Sequence, residues 1–310
     1  LWNAARFAFI SLRGYQHCER SIEDLFPEDR WIMSRLSRTC SAVQDQLVGY
    51  RPSAALTSVR EFFWGDMCDW YLELIKPRIN SDEADADASG ARQTVATVLD
   101  GVLRLLHPFV PFITETLWSR LRKLAIRRGI ANWQPPDSDL LAMADWPRPD
   151  KTLESVTLEA DMDWIRDVAR AIRDLRSQHG VDARKPIAAV IRPTGGRSTR
   201  ISIEGYDELI RRAAILNSLD FGAIDTLPSD SASTVVGDHE VHLLNVVDVE
   251  VENRRLAKQY ANLNKQIEIS ERKLANPGFL KNAAESVVER ERQRLATTRS
   301  ELRSVQQKMS

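Results

Sequence analysis

The sequence predicts a mainly α protein: a helical bundle, a small α+β module and a C-terminal antiparallel coiled-coil hairpin. Three observations predict it. Apolar residues recur at helical spacing through residues 1–129. The period then shifts to short β-branched, alternating segments. Two heptad series close the chain from Val249 onward. The expected boundaries are 1–129 for the bundle, 130–158 for a linker, 159–247 for the α+β domain and 248–310 for the arm.

The first helix is expected from Leu1 to Arg13, with Leu1, Ala5, Ala8, Phe9 and Leu12 on one face. Pro27 opens the second, and Glu28 and Asp29 in its first turn suit the macrodipole. Trp31, Ile32, Leu36, Val43 and Leu47 form its apolar stripe. Ser53 caps a third helix running to about Pro77, with Leu56, Val59, Phe62, Phe63, Met67, Trp70 and Leu74 inside. The acidic stretch from Ser81 to Gly90 reads as a solvated loop. A fourth helix runs from about Ala91 to His107, and Pro108 and Pro111 force a bend into a fifth, Phe112 to about Arg128. Short connections between consecutive helices indicate an up-and-down bundle.

Pro135, Pro136, Pro147 and Pro149 mark the linker. A helix is expected from about Glu159 to His179, a strand from Pro186 to Arg192 and a helix from Glu204 to Asn217. Thr234 to Val236 and Glu240 to Val246 form a hairpin around Gly237-Asp238. Val249, Leu256, Leu263 and Ser270 fall seven apart, with Tyr260, Ile267 and Leu274 interleaved. The series breaks at Asn276-Pro277-Gly278. It resumes as Val288, Leu295, Leu302 and Met309, with Thr298 and Val305 between. An arm of about 28 residues reaches roughly 40 Å.

Composition narrows the function classes. The net charge of −1 argues against a globally basic nucleic-acid binder but leaves room for local patches. Cys18, Cys40 and Cys68 are too far apart for a Cys-x-x-Cys zinc site and read as buried free thiols. No apolar run approaches the roughly 20 residues that span a bilayer. The chain opens on Leu1 inside an amphipathic run and is expected to be part of a longer cytoplasmic protein.

No catalytic motif stands out. Gly195-Gly196 reads as a loop tip, and His239 and His242 on a strand point to opposite faces, against a metal pair. The cations say more. Residues 249–310 carry thirteen Lys and Arg against eight carboxylates, leaving the arm at +5. Such an arm suits a phosphate backbone, and it equally suits the solvated flanks of any coiled coil. On the first helix Asn3, Arg6 and Phe7 share neighbouring surface. Amide, guanidinium and ring are what single-stranded RNA bases need, although Phe7 also suits a core.

Several segments resemble one family in order along nearly the whole chain. Leu1-Trp2-Asn3-Ala4-Ala5-Arg6-Phe7 resembles the opening helix of the anticodon-binding domain of class Ia aminoacyl-tRNA synthetases, in its valyl form. Asp29-Arg30-Trp31-Ile32, Glu61-Phe62-Phe63-Trp64-Gly65-Asp66, Lys76-Pro77-Arg78 and His107-Pro108-Phe109-Val110-Pro111-Phe112 resemble its later helices. Leu274-Ala275-Asn276-Pro277-Gly278-Phe279 and Val287-Val288-Glu289-Arg290-Glu291-Arg292 resemble the hairpin arm of the valyl type.

The resemblance implies ligation of valine to its tRNA by the full-length enzyme, using ATP and Mg. The nucleotide-binding core and editing domain would lie N-terminal to this stretch, which is then expected to hold no catalytic residue, metal or cofactor. It implies a monomer whose partner is a valine-accepting tRNA, away from membranes. Asn3, Arg6, Phe7, Lys76 and Arg78 are the expected anticodon contacts. Lys265, Arg272, Lys273, Arg290, Arg292 and Arg294 are the expected backbone contacts of the arm. Two rival readings are a stand-alone tRNA-binding regulator and a coiled-coil adaptor.

Overall fold

A computed structural model of the 310-residue chain describes every residue except 18–19, 81–85, 131–132, 134–137, 183, 195–204, 223–227, 229, 247–248, 277–284 and 310. The expected positions of Cys18, the acidic loop at 81–85, Gly195-Gly196 and the Pro277-Gly278 break lie outside the described residues. Two compact units are present. The first holds residues 1–171 and a short helix at Asp207–Ala214. The second holds the end of the preceding long helix from Ile172, the strands and the two C-terminal helices.

In the first unit α1 spans Trp2–Ser11, α2 Pro27–Val48 and α3 Pro52–Arg60. A π-helical segment follows at Glu61–Tyr71, then α4 at Leu72–Ile79, α5 at Ala86–Leu106 and α6 at Pro111–Leu124. Ser53 is not the cap of α3: the helix starts at Pro52, whose fixed φ suits the first helical position. The expected single third helix is interrupted by the π segment. Its buried residues, Phe62 and Phe63, Asp66 and Met67, Trp70 and Tyr71, recur every four residues, a longer step than the α-helical 3.6. Wider turns keep that stripe facing inward, whereas Leu56, ahead of it on α3, stays exposed. Of the expected acidic loop, Ala86–Gly90 is instead the first turn of α5.

α5 lies at the centre, packed against α1, α2, α3, α4 and α6. Its Val95, Val98, Leu99, Val102 and Leu103 are fully buried. Gly101 opens a slot in it: a Cβ there would stand 2.8 Å from the Trp133 ring and 3.0 Å from Leu36. Trp133 fills the slot, with the Arg104 guanidinium 5.4 Å from its ring. The described parts of the segment expected to be a linker therefore pack on the bundle, and Leu141 and Leu153 in its short 3-10 turns are buried too.

α7 spans Val156–Gln178 and α8 Asp207–Ala214. The unit boundary falls inside α7 rather than before residue 159, for an electrostatic reason. Glu159 accepts from Ser34 and pairs with Arg38 at 2.8 Å. Arg166 reaches Asp66 at 3.0 Å and lies 5.6 Å from the Trp31 ring and 5.3 Å from that of Trp70. From α8, Arg212 reaches the buried Glu28 at 3.3 Å, and Tyr206 just ahead of it donates to Asp161 at 3.1 Å. Buried carboxylates need cations and donors: α7 brings Arg166 to Asp66, α8 brings Arg212 to Glu28, and α2 brings Ser34 and Arg38 to Glu159.

In the second unit, β1 (Ile187–Pro193), β2 (Leu216–Phe221), β3 (Ala232–Val236) and β4 (His239–Leu243) form a sheet in the order β2-β1-β4-β3. β1 runs parallel to β2 and antiparallel to β4. The β3–β4 hairpin turns at Gly237, φ 55°, where the sequence predicts it. β2 corrects the expectation of one helix to Asn217. α8 stops at Ile215 in the left-handed conformation, and Leu216–Phe221 then pairs with β1. α9 (Val249–Ala275) and α10 (Glu285–Met309) run antiparallel: Ser270 donates to Glu291 at 2.8 Å, Glu271 pairs with Arg299 at 2.6 Å and Leu263 packs on Leu302. The described side chains of the two heptad series turn inward; those of Val249, Leu256, Val305 and Met309 lie outside the described residues. Leu263, Ser270, Val288 and Thr298 are buried, and Tyr260, Ile267, Leu274 and Leu295 are half-buried.

Candidate nucleic-acid interface

α1 rests on α5 and α6 through Ala5, Ala8, Phe9 and Leu12. The opposite side stays open, with Asn3 and Arg6 exposed. Phe7 is half-buried, and Lys76 of α4 sets its ammonium 5.3 Å from the ring centroid while pairing with Glu73. An amide, a guanidinium, a ring and an ammonium thus share one surface. Ring faces stack bases, amides and guanidinium groups hydrogen-bond base edges, and ammonium groups neutralise phosphate. Lys76 stands beside Phe7 although the two are far apart in sequence, so only the fold reveals that they adjoin.

Arg78 corrects the expected set. It is 8% exposed, donates to Glu28 at 3.0 Å and to Asp29 at 2.8 Å, and lies 4.1 Å from the Phe26 ring. Burial pulls its pKa down, but the charges of Asp29 and Glu28 outweigh that and hold it above the ordinary value. Burial pushes Asp29 up against the opposing pull of Arg78. Tyr71 donates to the same carboxylate at 2.7 Å. Arg78 holds the roots of α2 and α4 together and has no face left for RNA.

The six arm residues are all exposed. Arg272 pairs with Glu268 at 2.6 Å, Arg292 with Glu289 at 3.5 Å and Lys273 with Glu291 at 3.9 Å. They do not form one stripe. At about 100° per residue, Arg290 and Arg294 share a flank of α10, and Arg292 lies about 160° from both. On α9, Lys265 and Arg272 share a flank, and Lys273 sits about 100° round from Arg272.

On the flank of α1 next to α6, Arg6, Phe9 and Arg13 line a groove with Arg120 and Lys123. The sequence carries a signal for it: Arg120 and Lys123 fall three apart near the end of a helix. Elsewhere the titratable groups do structural work. Burial pushes the Cys40 thiol up to about 12, and Cys40 and Cys68 are free. His242 lies 3.1 Å from Glu240, which also takes Arg192. Among the described residues no group of three or more His, Cys, Asp or Glu could hold a metal ion, and no described helix is long and apolar enough to cross a membrane.

Residues 29–191 match the family described as the anticodon-binding domain of tRNA ligase, and residues 248–310 match the valyl tRNA synthetase tRNA binding arm. The first match opens at Asp29, the residue that closes on Arg78, and α1 lies ahead of it. The valine–tRNA ligase of Thermosynechococcus vestitus is 35% identical over 293 residues, which cover 93% of this chain and 31% of that protein. That of Bartonella henselae is 34% identical over 318 residues, 100% and 32%. That of Geobacter sulfurreducens is 34% identical over 300 residues, 96% and 32%. The chain spans about a third of the length of these relatives.

Proposed function

The chain belongs to the anticodon-binding family of tRNA ligases, and from that premise we propose that it is the tRNA-gripping part of a valine–tRNA ligase. The exposed side of α1 meets the anticodon loop. Asn3 and Arg6 hydrogen-bond base edges, Phe7 stacks on a base and Lys76 neutralises a phosphate beside it. The arm contributes phosphate contacts at the tRNA elbow through two separate flanks, Lys265 with Arg272 and Arg290 with Arg294. A second contact made by the same chain becomes intramolecular and raises avidity. Valine activation with ATP and Mg belongs to other parts of such an enzyme, and this part supplies no reacting group. It acts as a cytoplasmic monomer on a valine-accepting tRNA.

The observation that carries the reading is the Phe7–Lys76 pair beside the open Asn3 and Arg6. A binding titration tests it, comparing a valine-accepting tRNA with the same tRNA carrying a changed anticodon. Preference for the valine anticodon that disappears in Arg6→Ala supports base reading by α1. Equal binding of both tRNAs would leave only an electrostatic grip and sink the anticodon assignment.

A further inference from the structure

The buried arginines of the helical unit are paired, and so are the half-buried Arg35 and Arg166. Arg35 and Arg166 share Asp66, Arg78 takes Asp29, and Arg104 and Arg128 share Asp100. The groove between α1 and α6 is different in gathering exposed cations side by side. Arg6 lines it from α1, Arg13 from the turn that follows α1, and Arg120 and Lys123 from α6. Among the described residues none of the four has an ion-pair partner. Glu115 is a carboxylate at the groove's Trp2 end, and its two oxygens accept the Leu141 and Ala142 amides at 2.8 and 3.2 Å. The Arg120 guanidinium is held over the Phe9 ring, 5.1 Å from its centroid. Trp2, half exposed, lines the same end.

Four unpaired cations gathered in one groove, on a chain of net charge −1, repel one another unless an anion joins them. A linear polyanion fits better than a single ion, because the cations are spread out: Arg6 lies on α1 and Arg13 in the turn beyond its end, seven residues on. An accessible indole at one end adds a stacking platform, which a nucleic-acid strand uses and an acidic peptide does not.

We propose that the α1–α6 groove is a second RNA track. It holds the sugar–phosphate backbone of a single-stranded stretch of the tRNA, with Trp2 stacked on a base at its end. The inference rests on the anticodon reading and extends it. Arg6 borders both surfaces, so one strand passes from the base-reading side of α1 into the groove. The groove positions the strand and carries no sequence information, since phosphates are alike at every nucleotide.

The test is fluorescence titration of the whole chain with a valine-accepting tRNA and its changed-anticodon counterpart, over a range of salt. Wild type is compared with Arg120→Gln/Lys123→Gln. Arg13→Gln serves as a second variant that leaves the Arg120–Phe9 contact intact. The expected result for the double variant is weaker binding of both tRNAs by the same factor. Its log K against log salt slope should be shallower by about 1.4, two single-strand phosphates' worth, with the anticodon preference kept. Arg13→Gln should give about half that change in slope. Unchanged affinity and slope in all variants, with the wild-type preference intact, would overturn the groove and leave the anticodon reading standing. Loss of the preference in the double variant would also overturn it, because the groove would then be reading bases. A wild-type chain that binds neither tRNA at low salt would overturn both.

Discussion

Arg78 Nη2 donates to Asp29 Oδ2 over 2.8 Å, and both side chains are out of water. The pair joins α4 to α2 where the sequence suggested an RNA contact. Removing one partner of a buried ion pair leaves the other charge uncompensated. Arg78→Ala should therefore destabilise the chain by about 3–5 kcal/mol. Urea denaturation followed by circular dichroism measures it. A loss below about 1 kcal/mol, with tRNA affinity reduced instead, would return Arg78 to the interface.

Gly101→Ala should be destabilising although Ala is the better helix former by about 1 kcal/mol. The added Cβ would meet the Trp133 ring at 2.8 Å, and overpacking a rigid ring costs about 1–3 kcal/mol. A lowered melting temperature, with Trp133 more accessible to acrylamide, is the expected outcome. A raised melting temperature would mean that the slot is not filled as described.

Alkaline pH should weaken the fold from about pH 9 upward. Burial raises the Cys40 thiol from 9.0 to about 12, so it stays protonated in the folded chain after it would ionise unfolded. Stability present below pH 9 is thus lost as the pH climbs toward 12. Each such group adds a slope of about 1.4 kcal/mol per pH unit. Tyr71, pushed well above its usual 10.0 by burial and by Asp29, joins from pH 10. Stability measured at several pH values should fall less steeply in Cys40→Ser. An identical slope would show that the thiol is not buried.

On α1, Arg6→Ala should cost about 1–3 kcal/mol in binding and flatten the preference between anticodons. Phe7→Ala should cost a similar amount through lost stacking. The two readouts differ: Phe7→Ala weakens both tRNAs, because every base has a stacking face. Isothermal titration of each variant with both tRNAs separates them, and unchanged binding in both variants would remove α1 from the interface.

Arg290→Gln/Arg294→Gln should lower affinity for every tRNA alike and reduce the salt slope by up to about 1.8. Arg292→Gln, on another side of α10 and paired with Glu289, should change it less. Equal effects of all three, measured by filter binding across salt, would mean that RNA wraps the arm rather than lying along one flank.

The sequence by itself determined where most helices lie, the β3–β4 hairpin and the antiparallel arm, though not the π segment at Glu61–Tyr71 nor the ends of α5 and α8. Each rests on short-range periodicity or turn chemistry, and the apolar face declares itself within a few residues: Leu263, Ser270, Val288 and Thr298 turn inward as their heptads require. The exposed side of α1 was legible for the same reason. The tertiary structure alone decided where charges find partners. Arg78 and Lys76 sit two residues apart on opposite sides of α4; the helical period sets Arg78 on the same side as Leu74 and Ile75, but only the fold supplies Asp29 to one and Phe7 to the other. Likewise Trp133 seats in the Gly101 slot, α7 and α8 bring cations to Asp66 and Glu28, and Leu216–Phe221 becomes a strand beside β1. Burial and pairing depend on segments distant in the chain, so the residue type fixes the chemistry available and the fold fixes whether solvent, protein or ligand receives it.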